Sequence, residues 1–133
     1  VRRVFLDANV LFSAAYREGS GLLALWRLPS TVLLASGYAI DEARRNLESK
    51  QARARLEVLL SGVEIVVEGA GFHVPDSLRL ADKDRPILAA AIAAGATNLI
   101  TGDLKDFGPL RGHRIAGVLV QTPADFLKGE GRK

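Results

Sequence analysis

The chain has 133 residues, 48% of them hydrophobic and 25% charged, enough for one globular domain that buries roughly two-thirds of its unfolded surface. It has no cysteine, which excludes a disulfide framework and a thiolate metal site and fits a reducing cytosol. The net charge of +3 and the isoelectric point near 9.6 indicate a nucleic-acid partner only if the acids gather in one pocket and leave the remaining surface more basic.

At the start of the chain, Val4, Phe5 and Leu6 form a continuous apolar run that ends at Asp7. This suits a central strand buried on both faces of a parallel sheet, with Asp7 at its carboxyl end. Asp7 and Asn9 interrupt the run after the two arginines, so residues 1–10 do not read as a signal peptide. The longest apolar run, 87–96, is too short to cross a bilayer. The expectation is a cytoplasmic protein without membrane contact. Asn9 and Ser13 are suited to capping the next segment, and Leu22, Leu25 and Trp26 recur at helical spacing over 21–28 until Pro29 stops the pattern. Trp26 reads as a packing residue. The stripe it belongs to suits either the core or a homodimer interface.

A second strand is predicted over 31–35. Ser36 then opens a helix with apolar positions at Ile40, Ala43 and Leu47. Glu42 lies off that stripe, about 100 degrees from Ala43, and shares a face with Tyr38, Arg45, Asn46 and Ser49. It is therefore able to point over the strand ends. Arg44, Arg45, Lys50, Arg53 and Arg55 make this the most basic region, although Asp41, Glu42, Glu48 and Glu57 are interspersed. If Glu42 faces a site, Arg44, Arg45 and Lys50 border it and can hold phosphates. Ala52, Leu56, Leu59 and Leu60 give another helical stripe before a third strand at 63–67. Residues 69–75 read as a loop, and His73 and His113 as surface residues.

The segment 81–107 is the most informative. Asp84 suits a helix N-cap, Pro86 the first turn, and Gly95 the left-handed residue that ends a helix. Alanines at 89, 90, 91, 93 and 94 let this helix lie close to a sheet, with Ile87, Leu88 and Ile92 filling the gap. The strand over 98–101 then stops at Gly102 and Asp103. Asp84 thus marks a helix N-terminus and Asp103 the carboxyl end of a strand, where open α/β sheets hold ligands. A strand over 115–120, a short helix over 122–128 and a frayed tail at 129–133 complete the chain. The crossover connections predict an α/β fold, a parallel sheet of five strands covered on both faces, as one domain over 1–128.

Asp7, Asp84 and Asp103 all fall at sheet or helix ends, and Glu42 can reach the same region. Two ionised carboxylates about 4 Å apart repel by roughly 4 kcal/mol at an effective dielectric of about 20, so such a cluster calls for a cation. Mg2+ or Mn2+ fits best, because hard cations prefer oxygen ligands and can activate water for attack. Zinc is disfavoured, since no histidine or cysteine accompanies the acids.

Read together, the runs 5–10 (FLDANV), 42–45 (EARR), 84–89 (DRPILA) and 99–103 (LITGD) resemble, in order and spacing, the motifs of PIN domains. The Thr-Gly-Asp segment is the most specific of them. The resemblance covers nearly the whole chain. It implies a three-layer α/β/α sandwich and a metal-dependent ribonuclease, on the VapC-like branch the toxin of a toxin-antitoxin pair with an antitoxin partner. Carried over by position, it implies that Asp7, Glu42, Asp84 and Asp103 bind the metal or metals that activate water against RNA phosphorus, with Asn9 and Thr101 in support. Asp106 is an additional acid or the cap of the turn toward Phe107. Asp82 competes with Asp84, which is preferred because the helix follows it directly.

Other functions make different demands on the chain. A haloacid-dehalogenase-type phosphatase needs a second aspartate where this chain has Asn9, and a receiver domain needs its aspartate where the chain has Glu68-Gly69-Ala70. A catalytically silent RNA- or partner-binding regulator, its pocket filled by a partner's arginine or a structural ion, is consistent with the sequence.

Overall fold

The computed structural model describes residues 1–67 and 74–130. The predicted loop at 69–75, with His73, and the end of the tail, 131–133, therefore lie mostly or wholly outside the described residues. The strands are β1 (Arg2–Leu6), β2 (Thr31–Ser36), β3 (Val63–Val66), β4 (Asn98–Ile100), β5 (Arg114–Ile115) and β6 (Val118–Gln121). The helices are α1 (Ala8–Tyr16), α2 (Gly37–Asn46), α3 (Lys50–Leu60), α4 (Arg85–Ala93) and α5 (Pro123–Glu130), with 3-10 turns at Gly21–Arg27 and Gly108–Leu110.

All six strands join in one sheet of order β3-β2-β1-β4-β6-β5. The pairs β1–β2, β2–β3, β1–β4 and β4–β6 are parallel, and only β5–β6 is antiparallel. The chain steps outward from β1 through β2 to β3, then returns to the other side of β1 as β4. The direction of winding thus reverses between β1 and β4, which opens a crevice at their carboxyl ends.

Side chains alternate across the sheet, as pleating requires. Val4, Leu6, Leu33, Ala35 and Ile100 face one buried cluster with Val10, Leu11, Ile40, Leu56 and Phe126, the layer of α1, α3 and α5. Phe5, Leu34 and Leu99 face the other, with Ile87, Leu88, Ala90 and Ala91 of α4 and with Phe107. Helix α2 feeds both, through Ile40 and Ala43 on one side and Ala39 on the other. This is the three-layer arrangement expected.

The fifth predicted strand is in fact two. Residues 115–120 fold back on themselves, with Ala116 at φ 49° and Gly117 at φ 89°. Two successive positive φ values belong to the tight turns that join hairpin strands. Ala-Gly carries a weaker turn signal than Asn-Gly, so the run reads as continuous in the sequence. Two smaller corrections concern termini. Residues 129 and 130 belong to α5, not to a tail. The cap of α1 is Asp7, whose side chain accepts from the Ala8 N–H, whereas Asn9 and Ser13 lie inside the helix.

Helix α4 ends as predicted, with Gly95 at φ 70°, and the Arg3 guanidinium donates to the Ala94 carbonyl at 3.0 and 3.2 Å. Trp26 is also a packing residue. It lies against the first cluster with Leu22 and Leu25, and its indole N–H donates to the Leu59 carbonyl at 3.0 Å. The stripe proposed as a dimer surface is thus part of the chain's own core.

Leu99 is fully buried between β1 and β6, whereas Val58 on α3 is 71% exposed. Leu99→Ala should cost about 3 kcal/mol in urea denaturation. Val58→Ala should stay within about 0.5 kcal/mol. Similar costs for both would contradict this sheet order.

Candidate metal centre

The sheet register builds the site. Leu6 of β1 pairs with Ile100 of β4, and the Asp7 N–H still donates to the Ile100 carbonyl at 3.0 Å. The next residues, Asp7 and Thr101, therefore emerge side by side. The Thr101 hydroxyl donates to Asp7 Oδ2 at 2.8 Å, and the same Oγ1 accepts the Asp103 N–H at 3.0 Å. Asn9, in the first turn of α1, spans both chain segments. Its Nδ2 donates to Asp7 Oδ2 at 3.1 Å, and its Oδ1 accepts the Gly102 N–H at 2.7 Å. A Cβ on Gly102 would press on that Asn9 oxygen at 3.3 Å, so a larger residue there would have to push Asn9 aside.

Asp84 reaches the same edge because α4 runs antiparallel to the strand it precedes. The helix descends, β4 ascends, and residue 84 is brought back beside residue 103. Asp84 holds the N-cap position, but its carboxylate makes no capping bond. The oxygens of Asp84, Asp103 and Asp106 instead converge, with one from each within 4.8 Å of the others. Asp106 faces this group and does not cap the turn toward Phe107. Asp103 supplies that local bond, its Oδ1 accepting the Asp106 N–H at 3.1 Å. Asp82 points away, fully exposed, with Arg85 Nε 3.6 Å from its carboxylate. Arg85 also holds the preceding segment, donating to the carbonyls of Pro75 at 3.1 Å and Leu78 at 2.8 Å.

Asp7 adjoins this triad and is not one of its three members. Glu42 lines a cleft of about 240 Å³ with Ala8, Asn9, Phe12 and Asn46, and its charge is felt at Asp7. The basic residues divide. Arg44 bridges α2 to α3 through both oxygens of Glu57, at 2.9 and 3.0 Å, while Arg45 and Lys50 are exposed.

Lys83, to which the sequence assigned no role, is the cation that the site contains. Its Nζ lies 2.8 Å from Asp106, 3.7 Å from Asp84 and 3.8 Å from Asp103. Its position between Asp82 and Asp84 was the only signal. The clustered acids raise its pKa above the ordinary lysine value, Asp106 most of all.

Burial pushes the Asp7 carboxyl up, against the bonds from Thr101 and Ala8 and with help from the charges of Glu42 and Asp103. Burial likewise pushes Asp84 up to about 7; Lys83 opposes this, and Asp7 and Asp106 add to it. Asp106 is held below the ordinary range by its bond to Lys83. A divalent oxygen-seeking cation suits this set. The donors are all carboxylates, a lysine ammonium already stands among them, and Asp84 Oδ2 is buried with no hydrogen-bond partner. Ionising so buried an oxygen, with no hydrogen bond and its lysine partner 3.7 Å away, is costly unless a closer cation meets it.

Because Asp84 rises from 3.8 to about 7 on folding, the folded chain binds more protons than the unfolded one across that window. Stability therefore falls as pH rises through it. Asp7, also raised, acts in the same direction. In EDTA, Asp84→Asn should raise the melting temperature at pH 7.5 by on the order of 5 °C and flatten its decline between pH 5.5 and 7.5. A pH profile unchanged by the substitution would contradict the buried placement of Asp84.

The PIN domain family model matches residues 3–105, a span that holds Asp7, Glu42, Asp84 and Asp103. No curated protein matches the chain. Several solved structures do. VapBC2 from Rickettsia felis, crystallised with a DNA fragment from its promoter, superposes with a TM-score of 0.66 at 18% identity, over 90% of this chain and 98% of that one. VapC20 of Mycobacterium tuberculosis, described as a sarcin-ricin loop cleaving toxin, gives 0.55 at 18% identity, over 75% and 91%. VapBC-1 from nontypeable Haemophilus influenzae gives 0.54 at 17% identity, over 92% and 98%. At such identities the structural likeness is one of fold. The family match spans most of the chain: the chain belongs to the PIN domain family.

Proposed function

We propose that this chain is a Mg2+- or Mn2+-dependent endoribonuclease, a single PIN domain, and the toxin of a toxin-antitoxin pair. The observation that carries this reading is the meeting of Asp84, Asp103 and Asp106 within 4.8 Å, with Asp7 beside them, at the carboxyl edge of a parallel sheet in a PIN-family chain. The two VapBC complexes among the similar structures support an antitoxin partner, and the cytoplasm is the compartment that suits such a pair. No helix among the described residues is long and apolar enough to cross a membrane.

In this reading Asp84, Asp103 and Asp106 would hold the cation with Asp7 beside them, and Glu42 lines the cleft that adjoins Asn9. When bound, the metal offsets the charge on a scissile phosphate and makes water a better nucleophile. The chain's own residues set the geometry. Thr101 and Asn9 fix the Asp7 carboxylate through its Oδ2, and the Ala8 N–H fixes Oδ1 at 2.7 Å. Arg45 and Lys50, both exposed, would meet the RNA backbone, while Arg44 serves the contact between α2 and α3.

The presence of the Lys83 ammonium inside the acid group favours one rival, a silent binding module whose pocket takes a side-chain cation in place of a metal. Cleavage of end-labelled single-stranded and hairpin RNA in Mn2+, Mg2+ or EDTA separates the two. The nuclease should cut only with metal. Asp103→Asn and Asp106→Asn should reduce cutting to background, and Asn9→Ala should slow it by about 10-fold or more with its fold intact. Equal cutting by wild type and Asp103→Asn, or RNA binding without any cutting, would overturn the proposal.

A further inference from the structure

Lys83 Nζ stands against the same carboxylates that the proposed nuclease would use to hold its metal. It lies within hydrogen-bond distance of Asp106 only, at 2.8 Å, and it reaches Asp84 and Asp103 at 3.7 and 3.8 Å. A divalent ion coordinated by these three oxygens at roughly 2.0 to 2.6 Å would fill the space between them. Two cations at that separation, sharing the same lone pairs, repel strongly. The ammonium and the metal are therefore alternatives.

The surroundings of Lys83 allow such an exchange. Its side chain is 64% exposed, so its stem can swing into water with little loss of packing. Its backbone is fixed, because the Tyr38 hydroxyl donates to the Lys83 carbonyl at 3.2 Å and the Asp84 N–H donates to the Ala81 carbonyl at 2.9 Å. Departure of the ammonium thus leaves Asp84 in place. Lysine also satisfies the site incompletely, since Asp84 Oδ2 is buried and has no hydrogen bond. A small divalent ion gains at this buried oxygen, which the lysine reaches only at 3.7 Å.

We propose that Lys83 is an intramolecular competitor for the metal: its ammonium holds Asp84, Asp103 and Asp106 together in the metal-free protein and must leave for the ion to bind. The inference rests on the metal-dependent reading of the site and deepens it. Lys83 therefore sets metal affinity by raising the stability of the empty state.

The test is Mn2+ binding, read from the electron paramagnetic resonance of free Mn2+ at fixed pH and ionic strength, together with melting in EDTA. Wild type, Lys83→Met, Lys83→Gln, Asp103→Asn and Lys105→Gln are compared. Lys105 is exposed and close in sequence to Asp103, so its variant gives the same change of net charge without removing a cation from the triad. Both Lys83 variants should bind Mn2+ at least about tenfold more tightly than wild type. They should also melt lower in EDTA and recover on adding Mn2+. Lys105→Gln should move affinity by less than about twofold, as a screened surface charge does. If wild type binds Mn2+ in a manner lost in Asp103→Asn, but the Lys83 variants bind no more tightly or no better than Lys105→Gln, the competition is refuted and the metal site stands. If neither wild type nor the Lys83 variants bind Mn2+, the metal reading fails and the competition with it.

Discussion

The parallel pairing of β1 with β4 is the constraint on which the rest of the site depends. It aligns Leu6 with Ile100, continues for one more bond from the Asp7 N–H, and leaves Asp7 and Thr101 adjacent with their side chains free of the ladder. A shift of one residue would turn every side chain of the strand to the opposite face. It would bury Asp7 among leucines and aim Thr101 away. The register is itself held by burial on both faces, with Val4 and Leu6 in one cluster and Phe5 in the other. The hydrophobic effect thus fixes where the first carboxylate stands, and the Thr101 and Asn9 hydrogen bonds fix how it points.

The second constraint is electrostatic. Gathering carboxylates at one edge is unfavourable, and the fold offsets the repulsion in three ways. Thr101 and the Ala8 N–H hydrogen-bond Asp7. Burial pushes the Asp84 pKa up to about 7, which lowers the charge it brings to the edge. Lys83 places an ammonium against Asp106. These devices hold the acids together while leaving Asp84 Oδ2 without a hydrogen bond, its lysine 3.7 Å away. The site is thereby arranged around a stronger cation than the protein itself supplies, which is the physical basis of the metal-dependent reading and of the role inferred for Lys83.

Much of this was legible in the chain. The uninterrupted run of Val4, Phe5 and Leu6 marks a strand buried on both faces, Gly95 and Pro86 bound α4, and the stop at Gly102-Asp103 marks a strand end. Each is a local effect of backbone conformation or periodicity. The hairpin at Ala116-Gly117 was not legible, because its positive φ values fall on a pair that signals them weakly. Nor was the division of labour among the acids. Asp84 reads as both a metal-site acid and a helix cap and Asp106 as a minor acid, yet the Asp84 carboxylate makes no capping bond and Asp106 completes the triad. Arg44 reads as a cation for RNA, and Glu57 on the next helix takes it up.

The sequence by itself determined the class of the fold, the order of its elements and the residues able to serve as acids. Hydrophobic periodicity and turn chemistry act over a few residues and are written locally. Tertiary structure alone decided which acids meet, because that depends on an antiparallel return bringing residue 84 back to residue 103 and on a turn that aims residue 106 inward. It also decided that a lysine with no motif of its own stands among them. Distances between side chains remote along the chain follow from the packing of whole layers, and no local pattern encodes them.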